Sequence, residues 1–347
     1  MSITESGESL SVKWANDNHE SLYNLNWLRT HSYYPRLISP SVPATRPKHL
    51  WDASLASSLP TVNYNDVMSS DTGLAEWLKH IDTYGIGFVD GVPITPEATE
   101  ELAKRVAFIR HTHYGGFWDF TPNMEHGDTA YTTLALPGHT DTSYFTEPIG
   151  LQLFHLLEHK GKGGQSLYVD AFNAAKQLRD RFPDAYEILS RFPVTAHCAG
   201  DEGIHITPSA PFTILEHDPA NPSSLMRVRY NNDDRSVISP HSLLSSSSAS
   251  YPISSASSQQ LRQFSPTEIP DFYHALSLFT KLIRDRKNEL WVPLKPGKAV
   301  MVDNWRVLHG RAEFSGFRRL VGCYIGWDDY RSRVRTLVDG KGGKAVL

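Results

Sequence analysis

The run Leu136-Pro-Gly-His139-Thr-Asp141-Thr-Ser-Tyr-Phe145 sets an imidazole and a carboxylate two residues apart in what reads as the start of a β-strand. Side chains at i and i+2 of a strand share a face, so His139 and Asp141 can grip one ion together. A catalytic site needs a third ligand from a neighbouring strand. His309, in Val300-Met-Val-Asp-Asn-Trp-Arg-Val-Leu-His309-Gly-Arg, is the candidate. Two histidines and one carboxylate make the facial set that suits Fe(II) and leaves positions open for a co-substrate and O2. The competing reading of His139 and Asp141 is a polar turn closed by an Asx-type hydrogen bond. A second His-x-Asp, His80-Ile81-Asp82, fails on geometry: residues 72–82 carry helical spacing, and on a helix i and i+2 lie roughly 200° apart.

About ten residues beyond His309, the strand-like Arg318-Arg319-Leu-Val-Gly-Cys-Tyr324 offers a cation. A dicarboxylate co-substrate that chelates iron by its keto-acid end needs a guanidinium fork for its far carboxylate. Either arginine can serve, or both are solvated surface charges, and Ser166 after Gly163-Gly164 can add a hydroxyl. A second cluster is aromatic: Tyr114-Gly-Gly-Phe-Trp118, Tyr131 and Tyr324. Tyr114 and Trp118, four apart, are expected to share a helical face. Stacked rings attract a quaternary ammonium by roughly 0.5–2 kcal/mol each, and core packing is the alternative. His155 and His159 read as satisfied core or edge histidines.

The elements that must position these groups run as follows. Residues 9–14 and 20–25 alternate around Asn16-Asp-Asn-His19, a hairpin signal, so residues 1–58 are expected to form a small β-rich module joined by the segment Pro43 to Pro60. Residues 59–347 then form one large domain. Tyr84-Gly-Ile-Gly-Phe-Val89 reads as a buried strand, and Thr95-Pro96-Glu97 as a helix start whose stripe is Leu102, Val106 and Ile109. Tyr131 to Val169 is strand-like, with a turn at Gly161-Lys-Gly-Gly164; Asp170 caps a helix through Leu178, and Pro183 opens another. Residues 194–230 are short strands. Ser242–Ser258 is a Ser-rich surface insertion. Phe272, Leu276, Phe279 and Ile283 mark a core helix, and Trp291 to Trp327 returns to strands. Many short strands with few helices predict a mainly β fold with flanking helices, a double-sheet jelly roll or barrel.

Composition excludes several classes. The 347 residues are 40% hydrophobic with net charge −4, enough for a large core and too little positive charge for nucleic acid or an anionic membrane surface. Two cysteines, Cys198 and Cys323, rule out a disulfide framework and fit a reducing compartment. No apolar run spans a bilayer, and the N-terminus reads as neither a secretory signal nor a mitochondrial presequence, so a cytoplasmic protein is expected.

The motifs Gly127-Asp-Thr-Ala-Tyr-Thr-Thr, His139-Thr-Asp-Thr-Ser-Tyr-Phe145, Gly163-Gly-Gln-Ser-Leu-Tyr-Val-Asp-Ala-Phe172, Arg229-Tyr-Asn-Asn232 and Asp303-Asn-Trp-Arg-Val-Leu-His-Gly-Arg311 occur in order. In these the chain, from about Leu10 onward, resembles the trimethyllysine and γ-butyrobetaine dioxygenases, which are more distantly similar to taurine dioxygenase. The resemblance implies a double-stranded β-helix (jelly roll), Fe(II), ascorbate, 2-oxoglutarate and O2. It implies iron on His139, Asp141 and His309, the far carboxylate of 2-oxoglutarate on Arg318, and a trimethylammonium cage of Tyr114, Trp118, Tyr131 and Tyr324. The expected reaction is C3 hydroxylation of N6,N6,N6-trimethyllysine, the first step of carnitine biosynthesis. Conversion of γ-butyrobetaine to carnitine, or non-catalytic metal and betaine binding by a cupin-like protein, are the alternatives. Asp128, three residues before Tyr131, is expected to select the substrate's α-ammonium. Against this resemblance, the sequence as it starts at Met1 is expected to lack the family's cysteine-rich zinc-binding portion. A homodimer and a mitochondrial location are further implications of the resemblance.

Overall fold

The computed structural model describes residues 1–4, 6–35, 46–121, 132–199, 202–238 and 266–340. The chain divides into two compact units, Met1–Pro47 and Lys48–Leu347, so residues 48–58, which the prolines assign to the first module, belong with the second. The Ser-rich stretch 242–258 lies outside the described residues.

The first unit is a three-stranded antiparallel sheet, β1 (Ser2–Ile3), β2 (Ser9–Lys13) and β3 (Glu20–Asn24), followed by helix α1 (Leu25–Thr30). Its hairpin turns where expected. Asn18 adopts a positive φ of 58°, which asparagine tolerates, and the Asp17 carboxylate accepts the His19 N–H at 2.9 Å.

In the second unit, β4 (Thr61–Asn63), α2 (Tyr64–Ser69), α3 (Asp71–Tyr84), β5 (Ile86–Asp90) and α4 (Pro96–Val106) come first. The Thr95 hydroxyl accepts the Ala98 N–H at 3.2 Å and Pro96 opens α4. The helix stops at Val106, so Ile109 sits in a bridge to Ile325 instead of on the helical stripe. Next come β6 (Phe117–Phe120), β7 (Leu136–His139), β8 (Leu151–Gly163), β9 (Ser166–Asp170), α5 (Ala171–Arg181) and α6 (Pro183–Arg191). Trp118 is therefore on a strand and shares no helical face with Tyr114. β8 runs through Gly163, and the turn is confined to Gly164-Gln165, with φ of 78° at Gly163 and 74° at Gly164. Two short hairpins, β10 (Cys198–Ala199) with β11 (His205–Ile206) and β12 (Leu215–Asp218) with β13 (Asn221–Val228), precede α7 (Ile269–Ile283). The chain closes with β14 (Leu290–Val292), β15 (Lys298–Asp303), β16 (Val307–Arg311), β17 (Phe314–Ile325) and α8 (Trp327–Leu337).

Two open sheets result, ordered β4-β5-β15-β8-β17-β6 and β14-β9-β16-β7, and among the described residues neither closes into a barrel. Only β4 and β5 pair in parallel within them. The sheets face each other across a core that mixes Phe88, Val300 and Leu320 of the larger with Tyr168, Val292 and Val307 of the smaller. Helices α3, α4 and α8 pack on the outer face of the larger sheet through Trp77, Leu102 and Val334. Helices α5, α6 and α7 cover the smaller through Leu178, Leu189 and Phe279. This is the double-sheet jelly roll with flanking helices.

One buried ion pair ties these layers beside the site. Arg306 and Asp170 are both fully buried, 2.9 Å apart, and Arg306 also donates to the Thr83 carbonyl at 2.8 Å. Asp170 caps α5 through the Phe172 N–H at 3.1 Å. Removing one partner strands the other charge, so Arg306→Met is expected to destabilise the protein by about 3–5 kcal/mol in denaturant unfolding. A loss below about 1 kcal/mol would contradict the pair's role.

Candidate metal centre

His139 ends β7, and register places it opposite His309 on β16, with ring centroids 4.6 Å apart. Asp141 is not in the strand. It lies in the following turn, so the two residues converge by a change of direction and not by strand alternation. The turn is built by distant partners. Thr140 exchanges hydrogen bonds with the Tyr230 backbone, its N–H donating at 2.8 Å and its hydroxyl accepting at 3.0 Å. The Asn304 side chain, 1% exposed, accepts the Asp141 N–H at 2.8 Å and donates to the Asp141 carbonyl at 3.0 Å and to that of Ile149 at 3.2 Å. Thr142 follows at a strained φ of 54°, and its hydroxyl accepts the Ile149 N–H at 3.0 Å.

One donor atom from each of His139, Asp141 and His309 lies within 4.8 Å of the others. Asp141 Oδ1 is 3.2 Å from His139 Nε2 and 3.4 Å from His309 Nε2. The His139 Nδ1–H donates to the Pro137 carbonyl at 2.8 Å, which fixes the tautomer and leaves Nε2 as the free donor a metal needs. Burial works against charge on His139, but the adjacent Asp141 carboxylate outweighs it and holds the imidazole up at about 9. Burial likewise opposes charge at Asp141, yet the two histidines keep its carboxyl well below the ordinary range. At His309 burial prevails and lowers the value, against the pull of Asp141. Oxygen and nitrogen donors in this number fit a divalent iron.

The group opens on a cavity of about 250 Å³. Arg318, 7% exposed, lines it together with Ser166. Burial presses its guanidinium down to about 10, with Tyr168 opposing, and among the described residues no carboxylate pairs with it. A buried cation without an anion is costly. Arg319, the next residue, points out and grips Asp119 through bonds of 3.0 and 2.6 Å.

Tyr114 and Tyr324 also line the cavity. Trp118 does not: it stacks on Phe120 with centroids 4.6 Å apart and meets Tyr324 edge-on at 5.9 Å. Asp128 and Tyr131 lie outside the described residues. Tyr144, which sequence reasoning passed over, lines the cavity with its hydroxyl 3.2 Å from that of Tyr114. His155 is buried against the Thr99 hydroxyl at 2.7 Å and pushed down to about 4 by burial, and His159 meets the Gly163 carbonyl at 3.2 Å; neither joins the metal group. His80 and Asp82 lie on α3, where Asp82 pairs with Lys48 at 3.1 Å and Arg331 at 2.6 Å.

A jelly roll carrying a His-Asp-His group at its cavity is the architecture of non-haem iron oxygenases. The chain belongs to the taurine catabolism dioxygenase TauD, TfdA family, whose profile matches residues 43–324. It is 41% identical over 364 residues to trimethyllysine dioxygenase of Neurospora crassa, covering 95% of this chain and 71% of that one. To the mitochondrial trimethyllysine dioxygenase of Rattus norvegicus it is 40% identical, covering 92% and 70%. To gamma-butyrobetaine dioxygenase of Pseudomonas sp. (strain AK-1) it is 32% identical, covering 94% and 78%. The fold resembles the crystal structure of the non-heme iron oxygenase OrfP in complex with Fe and alpha-ketoglutaric acid, with a TM-score of 0.51 at 14% identity over 80% of this chain and 96% of that one. Among the described residues no helix is long and apolar enough to cross a membrane.

Proposed function

We propose that the protein hydroxylates N6,N6,N6-trimethyllysine at C3 in a reaction dependent on Fe(II), 2-oxoglutarate and O2. The observation that carries the reaction class is the group of His139, Asp141 and His309 opening on the same cavity as the buried Arg318, which pairs with no carboxylate among the described residues. The substrate rests on likeness to trimethyllysine dioxygenases at 41% and 40% identity, against 32% for the gamma-butyrobetaine enzyme. In this reading the three residues hold Fe(II), and Arg318 with Ser166 takes the far carboxylate of 2-oxoglutarate. Bound iron supplies the oxidative chemistry, in which one oxygen of O2 enters succinate as CO2 leaves and the other enters the substrate C–H bond. The chain's own work is to bind, orient and exclude water. Tyr114, Trp118, Tyr131 and Tyr324 are the proposed surround of the trimethylammonium, with Tyr114 and Tyr324 the members that line the cavity. Ascorbate as reductant, a homodimer, and residence in the cytoplasm or, as the rat relative's name favours, in mitochondria, belong to the same reading.

Trimethyllysine and γ-butyrobetaine share the quaternary head and differ at the other end, where only trimethyllysine carries an α-ammonium beside its carboxylate. A carboxylate at Asp128 attracts that ammonium and repels an unaccompanied carboxylate. Asp128→Asn is therefore expected to lower kcat/KM for trimethyllysine by about tenfold or more, with iron and 2-oxoglutarate binding unchanged. Equal kcat/KM in the variant and its parent, or a parent that prefers γ-butyrobetaine, would overturn the substrate assignment.

A further inference from the structure

The two carboxylate oxygens of Asp141 have different surroundings. Oδ1 faces His139 Nε2 at 3.2 Å and His309 Nε2 at 3.4 Å. Oδ2 accepts two hydrogen bonds, from Gln152 Nε2 at 2.7 Å and from the Tyr324 hydroxyl at 2.8 Å. These donors are direct cross-strand neighbours, since Gln152 of β8 pairs with Tyr324 of β17, and such partners project to the same face of a sheet. Gln152 is 3% exposed, a polar residue in the otherwise apolar run Leu151-Gln-Leu. Because a carboxylate only accepts, the amide must present its nitrogen to Oδ2.

We infer that Gln152 is a positioning residue of the metal centre: together with Tyr324 it holds Asp141 Oδ2 away from the metal, so that the carboxylate serves through Oδ1 alone. A carboxylate free to turn can offer a cation one oxygen or both, and a second bond takes a position that the co-substrate or O2 needs. Turning Oδ2 toward the metal here breaks two charge-assisted hydrogen bonds and leaves a buried amide unpaired. Translation of the whole group is blocked from the other side, where Asn304 grips both backbone polar atoms of Asp141. The inference rests on the iron and 2-oxoglutarate reading but not on the identity of the hydroxylated substrate.

The test uses the full-length protein with Co(II) in place of Fe(II), because its ligand-field absorption reports coordination without turnover. Gln152→Leu keeps the volume and removes the donor. Its Co(II) affinity is expected within about threefold of the parent's, while 2-oxoglutarate binding to the Co(II) protein weakens about tenfold or more and the absorption spectrum shifts before 2-oxoglutarate is added. Tyr324→Phe removes the other donor from the same oxygen, so the double variant's loss should depart from the product of the two single losses. Unchanged 2-oxoglutarate binding and spectrum would overturn the inference. So would a joint fall in thermal midpoint, Co(II) affinity and 2-oxoglutarate affinity, the signature of a merely structural glutamine. Co(II) binding by the parent protein checks the iron reading separately.

Discussion

His309→Ala is expected to abolish turnover and to strip the protein of its high-affinity Fe(II) site, and His139→Ala and Asp141→Ala are expected to do the same. Removing one positioned hydrogen-bond donor from an active site costs roughly 10²–10³ in kcat, and here a bond to the metal itself is lost. The three donor atoms lie within 4.8 Å of one another, and among the described residues no other histidine, cysteine or acidic residue joins the group to substitute. His80→Ala is the control. His80 sits on α3, and the Asp82 beside it in sequence is already taken by Lys48 and Arg331. The variant should bind iron and turn over like its parent. Loss of iron binding in the His80 variant equal to that in the His309 variant would show that the ligand set has been misassigned.

Arg318→Met is expected to raise the KM for 2-oxoglutarate by about 10²-fold or more, because a buried carboxylate left without its cation costs on the order of 3–5 kcal/mol. Arg319→Met should change it by about twofold at most, since an exposed pair contributes little. The structure separates the neighbours by register: Arg318 lines the cavity at 7% exposure, whereas Arg319 grips Asp119 in solvent. Steady-state kinetics with 2-oxoglutarate varied at saturating substrate measures both. The reverse ranking would turn β17 over by one residue and move the co-substrate's anchor to Arg319.

Local signals in the sequence carried much of the fold. The hairpin of β2 and β3, the hydroxyl and proline that start α4, and the Asp170 cap of α5 are each written within a few residues, and each forms where it was expected. The double-sheet architecture followed from the spacing of short strands. What failed depended on partners far along the chain. Tyr114 and Trp118 have helical spacing, but Gly115-Gly116 between them breaks a helix and β6 pairs with β17. His139 and Asp141 do come together, but through a turn held by Asn304 and Tyr230. No pattern of period two encodes that. Gln152 left one readable trace, an amide within a buried apolar strand, and a buried polar group needs a partner. Its partner, Asp141, is visible only once the chain is folded.

The most direct test of the central claim is mass spectrometry of products formed by the purified protein with Fe(II), 2-oxoglutarate, ascorbate and O2, offering trimethyllysine and γ-butyrobetaine in separate reactions. The expected result is the gain of one oxygen on trimethyllysine, at C3, with one succinate formed per hydroxylated molecule. Oxygen gained only on γ-butyrobetaine, or iron bound with no succinate released from either reaction, would contradict it.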